Sequence, residues 1–284
     1  MTFFGDTVLP IVLFIIMMGI GLSTKLGDFK SLIKYPKAAI LGIVSQVVVL
    51  PAVALIVARV FSYSDEVTLG LLLLSLCPSG TGSNIITKML KGNLALSVSL
   101  TALSSIKSLF IIPLFIGLYL SVVGSSVQLG VLPYGELALS VFLLTILPTG
   151  LGVVLGANYP AMVDATKKLL KWLLPGLLFG VFVAIMFLDD PKTKEVNITE
   201  MLLPAALFNL ISMVASWLFI KLFKVENKQA IAITVEGGLK NSAIGLLISS
   251  QFLTIPSIEL LILAYSFISF YLTFVIGLLF KKVL

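Results

Sequence analysis

Apolar residues run through this chain in nine long blocks, at about 7–22, 38–61, 67–90, 94–123, 137–157, 169–188, 201–222, 229–251 and 260–280. Short polar or charged clusters separate them. A bilayer-spanning helix needs about 20 mostly apolar residues, so each block predicts one transmembrane helix. Nine such spans use roughly 180 residues, and the remainder divides into short loops. Residues 1–284 therefore read as a single integral membrane unit. The leader Met1 to Asp6 has no basic residue and no small-residue cleavage site follows the first block, so that block is expected to be a retained span and not a signal peptide.

Composition agrees with the pattern. Apolar residues make up 59% of the chain and charged residues only 11%, against about 45–50% and about 25% in soluble domains. That excludes a cytosolic enzyme, a nucleic-acid binder and a disordered protein, and leaves the lipid bilayer as the main partner. Histidine is absent, which removes the commonest general base and metal ligand. A single cysteine, Cys77, excludes a disulfide framework. No serine hydrolase, zincin or Walker motif occurs, so the chain reads as no enzyme, needs no organic cofactor and shows no required protein partner.

The net charge of +6 is placed by topology. Alternate loops hold Lys25, Lys30, Lys34, Lys37, Lys88, Lys91, Lys167, Lys168, Lys171, Lys221, Lys224, Lys228, Lys281 and Lys282, which is 14 of the 19 basic residues. The opposite loops hold Arg59, Lys192 and Lys194 beside six acids. Basic loops face the cytoplasm. The expected arrangement is thus an inner-membrane protein with its N-terminus outside and its C-terminus cytoplasmic. Arg59 and Lys88, near span ends, read as snorkelling anchors.

Two spans carry interruptions that a continuous helix avoids: Cys77-Pro78-Ser79-Gly80-Thr81-Gly82-Ser83-Asn84 in the third and Glu236-Gly237-Gly238-Leu239-Lys240-Asn241-Ser242 in the eighth. Proline removes a backbone donor and glycine loosens the helix, so both segments are expected to unwind. Each is the third member of a four-span series, and the two series enter the membrane from opposite sides. Paired breaks in an inverted repeat point to the binding site of a transporter. Two unrelated kinks are the plainer alternative.

Three ionisable residues lie deep in spans: Lys107, Glu236 and Lys240. A charge at mid-membrane costs at least about 2.5–3.5 kcal/mol, so each needs a partner or a function. Glu236 and Lys240 are four apart, within reach of each other on a helix. A plain salt bridge is one reading. The other makes Glu236, at the start of an unwound segment, the anchor of a cation, with Ser97, Thr101, Ser104 and Ser108 on the fourth span supplying oxygens. Lys107 either lines a substrate cavity or pairs with a backbone carbonyl.

The first break, followed by Lys91-Gly92-Asn93-Leu94-Ala95-Leu96-Ser97-Val98-Ser99-Leu100-Thr101, resembles the bile acid:sodium symporter family, whose run is close to C-P-G-G-T-A-S-N and then K/R-G-N-x-A-L-S-V-S-x-T. The second break resembles that family's E-V-G-M-Q-N-S. Gly19 to Leu22 with Asp28-Phe29, and Gln46 with Pro51, also fit, so the resemblance spans the whole chain. It implies an all-α integral membrane fold of nine transmembrane helices, an inverted repeat with two crossed broken helices. A core domain (about 38–123 and 201–280) would be faced by a panel domain (about 7–22 and 137–188). The bacterial members' first helix is expected to be missing.

By the same resemblance, transport proceeds by alternating access with sodium bound behind the crossing. A first sodium site maps onto Ser83, Asn84, Ser97, Thr101 and Glu236, all of which keep their oxygens. A second maps onto Gln46, Glu236, the backbone around Gly237 and Leu239, and Lys240. There the chain departs from the family, because a lysine offers no acceptor where a glutamine did. Lys240 is therefore expected to replace the second sodium, with coupling to sodium reduced or absent. A sodium-coupled organic anion or bile acid symporter that keeps the first site, and an uncoupled auxin-efflux-like carrier, are the alternatives. Thr81, Gly82 and Asn241 would contact the substrate, with Asn241 alternatively only tying up unwound backbone. Helix starts near both breaks favour an anion or a zwitterion's carboxylate, so a small organic acid or amino acid is expected.

Overall fold

The computed structural model describes residues 7–24, 27, 30–80, 82–123, 134–161, 163, 173, 176–177, 179–184 and 197–283. Among them there is no strand, and the architecture is helical throughout. Chain order gives α1 (Leu9–Ser23), α2 (Lys30–Lys34), α3 (Pro36–Val44), α4 (Leu50–Val60), α5 (Asp65–Leu76), α6 (Gly82–Met89) and α7 (Leu94–Val123). It continues with α8 (Tyr134–Val141), α9 (Leu147–Asn158), α10 (Ile198–Leu222), α11 (Asn227–Gly238), α12 (Ser242–Ile248) and α13 (Pro256–Val283).

Five described helices are long and apolar enough to cross a membrane: Pro36–Val60, Leu94–Val122, Gly135–Asn158, Ile198–Leu222 and Pro256–Lys281. The protein is a multi-pass membrane protein. The first predicted span appears as α1, and the third and eighth appear as the helix pairs α5–α6 and α11–α12. Most of the sixth, at 169–188, lies outside the described residues.

Three π-helical turns interrupt the helices at Ser45–Val49, Phe142–Ile146 and Ser249–Leu253. In the first two the closing amide reaches back five residues, from Leu50 to Ser45 and from Leu147 to Phe142. Pro51 and Pro148 come immediately afterwards. Proline has no N–H to continue the ladder, and the register slips one residue just before it. The slip at Ser45–Val49 brings two polar side chains inward: Ser45 donates to Ser216 Oγ at 3.1 Å and Gln46 Nε2 donates to Ser79 Oγ at 3.4 Å.

Lipid tails are as apolar as leucine, so helices in a bilayer associate through close packing. Helix α1 lies along α9 with almost no side chain between them. A Cβ built on Gly21 would run into the Thr149 carbonyl, and one on Gly152 into the Met18 carbonyl. The main core joins α1, α4, α5, α7, α10, α12 and α13 around fully buried Leu71, Leu73, Phe208, Leu247, Leu261 and Tyr265. Apolar side chains such as Ile40, Phe110, Leu203, Tyr271 and Leu279 are exposed on the outer surface, facing lipid. Arg59 and Lys88 are exposed near helix ends, in keeping with anchoring.

The loop Lys91-Gly92-Asn93 turns the chain from α6 into α7. Lys91 takes a left-handed conformation, φ 63°. The Asn93 side chain accepts from the Leu96 amide at 3.1 Å as the α7 cap, and the Asn93 backbone N–H donates to the Lys228 carbonyl at 2.8 Å. The motif thus seats α7 against the start of α11.

Candidate functional site

The two breaks lie against each other. Ser79 and Lys240 form an isolated antiparallel bridge. It is flanked by the Gly80 amide donating to the Leu239 carbonyl at 3.1 Å and the Asn241 amide donating to the Pro78 carbonyl at 2.8 Å. Both interruptions are shorter than expected. Helix α6 already begins at Gly82, so Ser83 and Asn84 sit on its first turn. Helix α11 runs through Gly238, which leaves Glu236 on a helix and not at the start of an unwound segment.

Several other backbone groups at the breaks are bonded to side chains nearby. The Ser79 amide donates to Ser104 Oγ at 3.2 Å, and Ser79 Oγ donates to the Glu236 carbonyl at 3.2 Å. The Gly238 carbonyl accepts from Tyr265 Oη and Asn209 Nδ2, each at 2.5 Å. The Lys240 amide donates to Tyr265 Oη at 3.2 Å. Asn241 Oδ1 caps α12, accepting from the amides of Ala243 and Ile244. The amides of Ser79, Gly80, Lys240, Asn241, Ala243 and Ile244 thus already have acceptors within the protein.

Gly237 and Gly238 leave no room for a side chain. A Cβ on Gly237 would collide with Ser216 Oγ, and one on Gly238 would lie 2.6 Å from Met213 Cγ and 2.7 Å from Thr273 Oγ1. Ser212, Met213 and Ser216 on α10 form the surface against which this segment lies.

Glu236 is fully buried. Its Oε1 accepts from Ser83 Oγ at 2.5 Å, Ser97 Oγ at 2.9 Å and Thr101 Oγ1 at 3.0 Å. The structure therefore brings together residues of α6, α7 and α11 that sequence reasoning grouped. Glu236 Oε2, Asn84 Oδ1 and Gln46 Oε1 are also buried, and none has a hydrogen-bond partner. Ser104 serves the first break and Ser108 bonds the Ser105 carbonyl of its own helix, so the predicted oxygen stripe divides after Thr101.

Lys240 is 3% exposed and its Nζ has no hydrogen-bond partner, so it is not tied to Glu236. The helical spacing behind that pairing is lost because Leu239 and Asn241, on either side of Lys240, are extended. Glu236 remains within electrostatic range of the Lys240 side chain. Lys107 Nζ is buried without a partner too, which removes its pairing with a backbone carbonyl. Gly82 packs against Phe270 and Leu239. Thr81 lies outside the described residues.

Tyr265, Asn209, Met213 and Thr273 were not singled out from the sequence. Asn209 is a signal that was available, being a buried amide inside the otherwise apolar α10. Tyr265 resembles an ordinary aromatic of an apolar span.

A buried carboxylate ringed by hydroxyls, where two helix breaks meet inside a multi-pass membrane protein, defines a class in which polar cargo is handled within the bilayer. Residues 10–190, more than half of the chain, match the Sodium Bile acid symporter family, and the chain belongs to it. Its members are transporters and not enzymes. The match includes the first break and α7; the second break lies beyond it.

Among similar proteins, the uncharacterized sodium-dependent transporter YocS of Bacillus subtilis is 29% identical over 84% of this chain and 72% of its own length. The probable sodium/metabolite cotransporter BASS2, chloroplastic, of Oryza sativa is 26% identical over 85% of this chain and 56% of its own. The hepatic sodium/bile acid cotransporter of Rattus norvegicus is 25% identical over 82% and 64%. The chain thus spans a little over half of the plastid relative and nearly three quarters of the bacterial one.

Proposed function

We propose that this protein is a secondary transporter of the inner membrane that carries a small organic anion or zwitterion by alternating access. Sodium coupling is reduced or absent, because Lys240 stands where the family places a sodium-binding glutamine. The nine spans form an inverted repeat whose broken helices, α5–α6 and α11–α12, cross at the Ser79–Lys240 bridge. The core (about 38–123 and 201–280) moves against a panel (about 7–22 and 137–188), with the N-terminus outside and the C-terminus in the cytoplasm. Thr81, Gly82 and Asn241 face the substrate.

The observation that carries this reading is the buried ammonium of Lys240, within electrostatic range of Glu236 and beside Gln46's partner Ser79. Side-chain rotation lets it supply the positive charge that a sodium ion would otherwise bring between Glu236 Oε2 and Gln46 Oε1. Uptake into proteoliposomes with sodium replaced by choline tests it. The parent should retain uptake in choline and Lys240→Gln should acquire sodium dependence; a parent that needs two or more sodium ions per substrate would defeat the substitution.

A second reading has its own support. Asn84 Oδ1 and Glu236 Oε2 are buried acceptors without a donor, and the set with Ser83, Ser97 and Thr101 is all oxygen, which suits a hard monovalent cation. One cotransported sodium at that set would make the protein a sodium-coupled symporter like its named relatives. A sodium-to-substrate ratio of one, abolished by Asn84→Ala, distinguishes it.

A further inference from the structure

The hydroxyls around Glu236 outnumber the places on the oxygen that they share. A carboxylate oxygen has about two lone-pair sites, and Glu236 Oε1 lies within reach of three hydroxyls, Ser83 at 2.5 Å, Ser97 at 2.9 Å and Thr101 at 3.0 Å. Each hydroxyl has a single proton to give. Among the described residues, Ser83 Oγ has no other acceptor. The other two do. Thr101 Oγ1 lies 3.0 Å from the Ser97 carbonyl, and Ser97 Oγ lies 3.3 Å from Thr87 Oγ1. The longer of the two Ser97 contacts is the weaker, so its proton goes to Glu236 first and Thr87 stands in reserve.

Thr87 is held firmly in that position. It is fully buried on α6, one turn beyond Ser83 and on the same face. Its carbonyl accepts from the Gly92 amide at 2.8 Å, and a Cβ on Gly92 would lie 2.9 Å from Thr87 Cγ2. The Lys91-Gly92-Asn93 turn thus closes over the threonine, and a side chain at position 92 would press on it.

A cation bound by these hydroxyl oxygens competes for Oε1 itself. Ser83 keeps the site that is left, and the protons of Ser97 and Thr101 must turn away. We infer that Thr87 is a positioning residue of the cation site: its oxygen receives the Ser97 proton when a sodium ion enters, as the Ser97 carbonyl receives that of Thr101. Both hydroxyls then offer lone pairs to the ion, and no buried proton is left without an acceptor. Thr87 acts through Ser97 and does not touch the ion. This rests on the second reading above, one sodium at the Glu236 oxygens, and adds a residue that decides how tightly that ion is held.

Thermal unfolding of the purified full chain in detergent, titrated with sodium chloride against choline chloride at constant ionic strength, tests it. An ion that binds the folded chain raises the melting temperature in step with its concentration. Sodium should therefore raise that of the parent, and Glu236→Gln should abolish the rise. Thr87→Val keeps the volume and removes the acceptor. A buried hydroxyl proton without a partner weakens binding at least about fivefold, so the variant should need at least about five times as much sodium for the same rise. Thr87→Ala relieves any crowding against Gly92 and should show the same increase, so the test does not hang on one variant folding. Thr87→Ser restores the oxygen and should follow the parent. Comparing sodium with choline within each variant cancels any loss of packing, which lowers both curves alike.

Thr87→Val and Thr87→Ala curves that match the parent overturn the inference and leave the second reading standing. A Thr87→Ser curve displaced as far as that of Thr87→Val also overturns it, because the effect then belongs to the lost methyl. A parent that melts alike in sodium and choline, or a rise that survives in Glu236→Gln, removes the second reading and this inference with it.

Discussion

Replacing Thr101 by valine removes one hydroxyl and keeps the side-chain volume, which makes it a clean probe of the carboxylate's surroundings. Thr101 Oγ1 lies 3.0 Å from Glu236 Oε1 and also 3.0 Å from the Ser97 carbonyl of its own helix. If the proton goes to Glu236, the variant loses a hydrogen bond to a charged acceptor, a loss of about 1.5–3 kcal/mol. At about 2–4 °C per kcal/mol for a chain of this order of size, the melting temperature should fall by roughly 3–12 °C. If the proton goes to Ser97, only a local back-bond is lost and the change is near zero. Thermal unfolding in detergent reads the difference, with Thr101→Ser as the variant that keeps the hydroxyl. The same substitution made in Glu236→Gln should cost about 1 kcal/mol less, since the acceptor is then neutral. A Thr101→Val protein that melts with the parent, or an equal loss in both backgrounds, would refute Glu236 as the centre that α7 holds.

Three further outcomes follow from the packing around the breaks. Tyr265→Phe removes the hydroxyl that donates to the Gly238 carbonyl and accepts from the Lys240 amide; stability should drop by about 1–3 kcal/mol, visible as a lower melting temperature, with uptake reduced as well. Gly238→Ala places a methyl 2.6–2.7 Å from Met213 and Thr273, and overpacking of this kind costs about 1–3 kcal/mol; Met213→Ala in the same chain should recover part of the loss. Gly152→Val wedges a branched side chain between α9 and α1, where the Met18 carbonyl leaves no room. It should separate those helices, seen as faster cysteine labelling at positions introduced along α1, while ligand binding at the breaks survives.

Apolar blocks are legible because a bilayer imposes a length and an apolar composition that local sequence must meet, and five of the described helices meet both on their own. The breaks were legible because Pro78 and the pair Gly237-Gly238 have few uses inside an apolar helix. Their extent was not. Asn241 stops the unwinding early by capping α12, and Tyr265 holds the amide of Lys240 from 25 residues further along the chain than that lysine. Such long-range partners leave no periodic mark. The Glu236–Lys240 spacing misled for the same reason: four residues on a helix make neighbours, but three extended residues after Gly238 carry the lysine off that track. Thr101 and Ser97 reach Glu236 together because α7 stays helical, and the family resemblance marked the face that they share.

The distribution of satisfied and unsatisfied groups sharpens what the breaks are for. Irregular backbone inside a membrane survives only when its polar groups are met by the protein or by water in a cavity. Here Ser104, Tyr265, Asn209 and the opposing strand-like segment meet them. A bridge held from α7, α10 and α13 at once is a poor place for a lid or a hinge. It is better read as a rigid platform. By contrast, Gln46 Oε1, Asn84 Oδ1, Glu236 Oε2 and the Nζ atoms of Lys107 and Lys240 stand around it without partners. An unmet buried polar atom costs about 1–3 kcal/mol, and five around one bridge is an expensive arrangement for a protein that gained nothing from it. Three of the five are acceptors and two are cations. A cation suits the first group and a carboxylate the second, as the proposed transport of an organic anion requires.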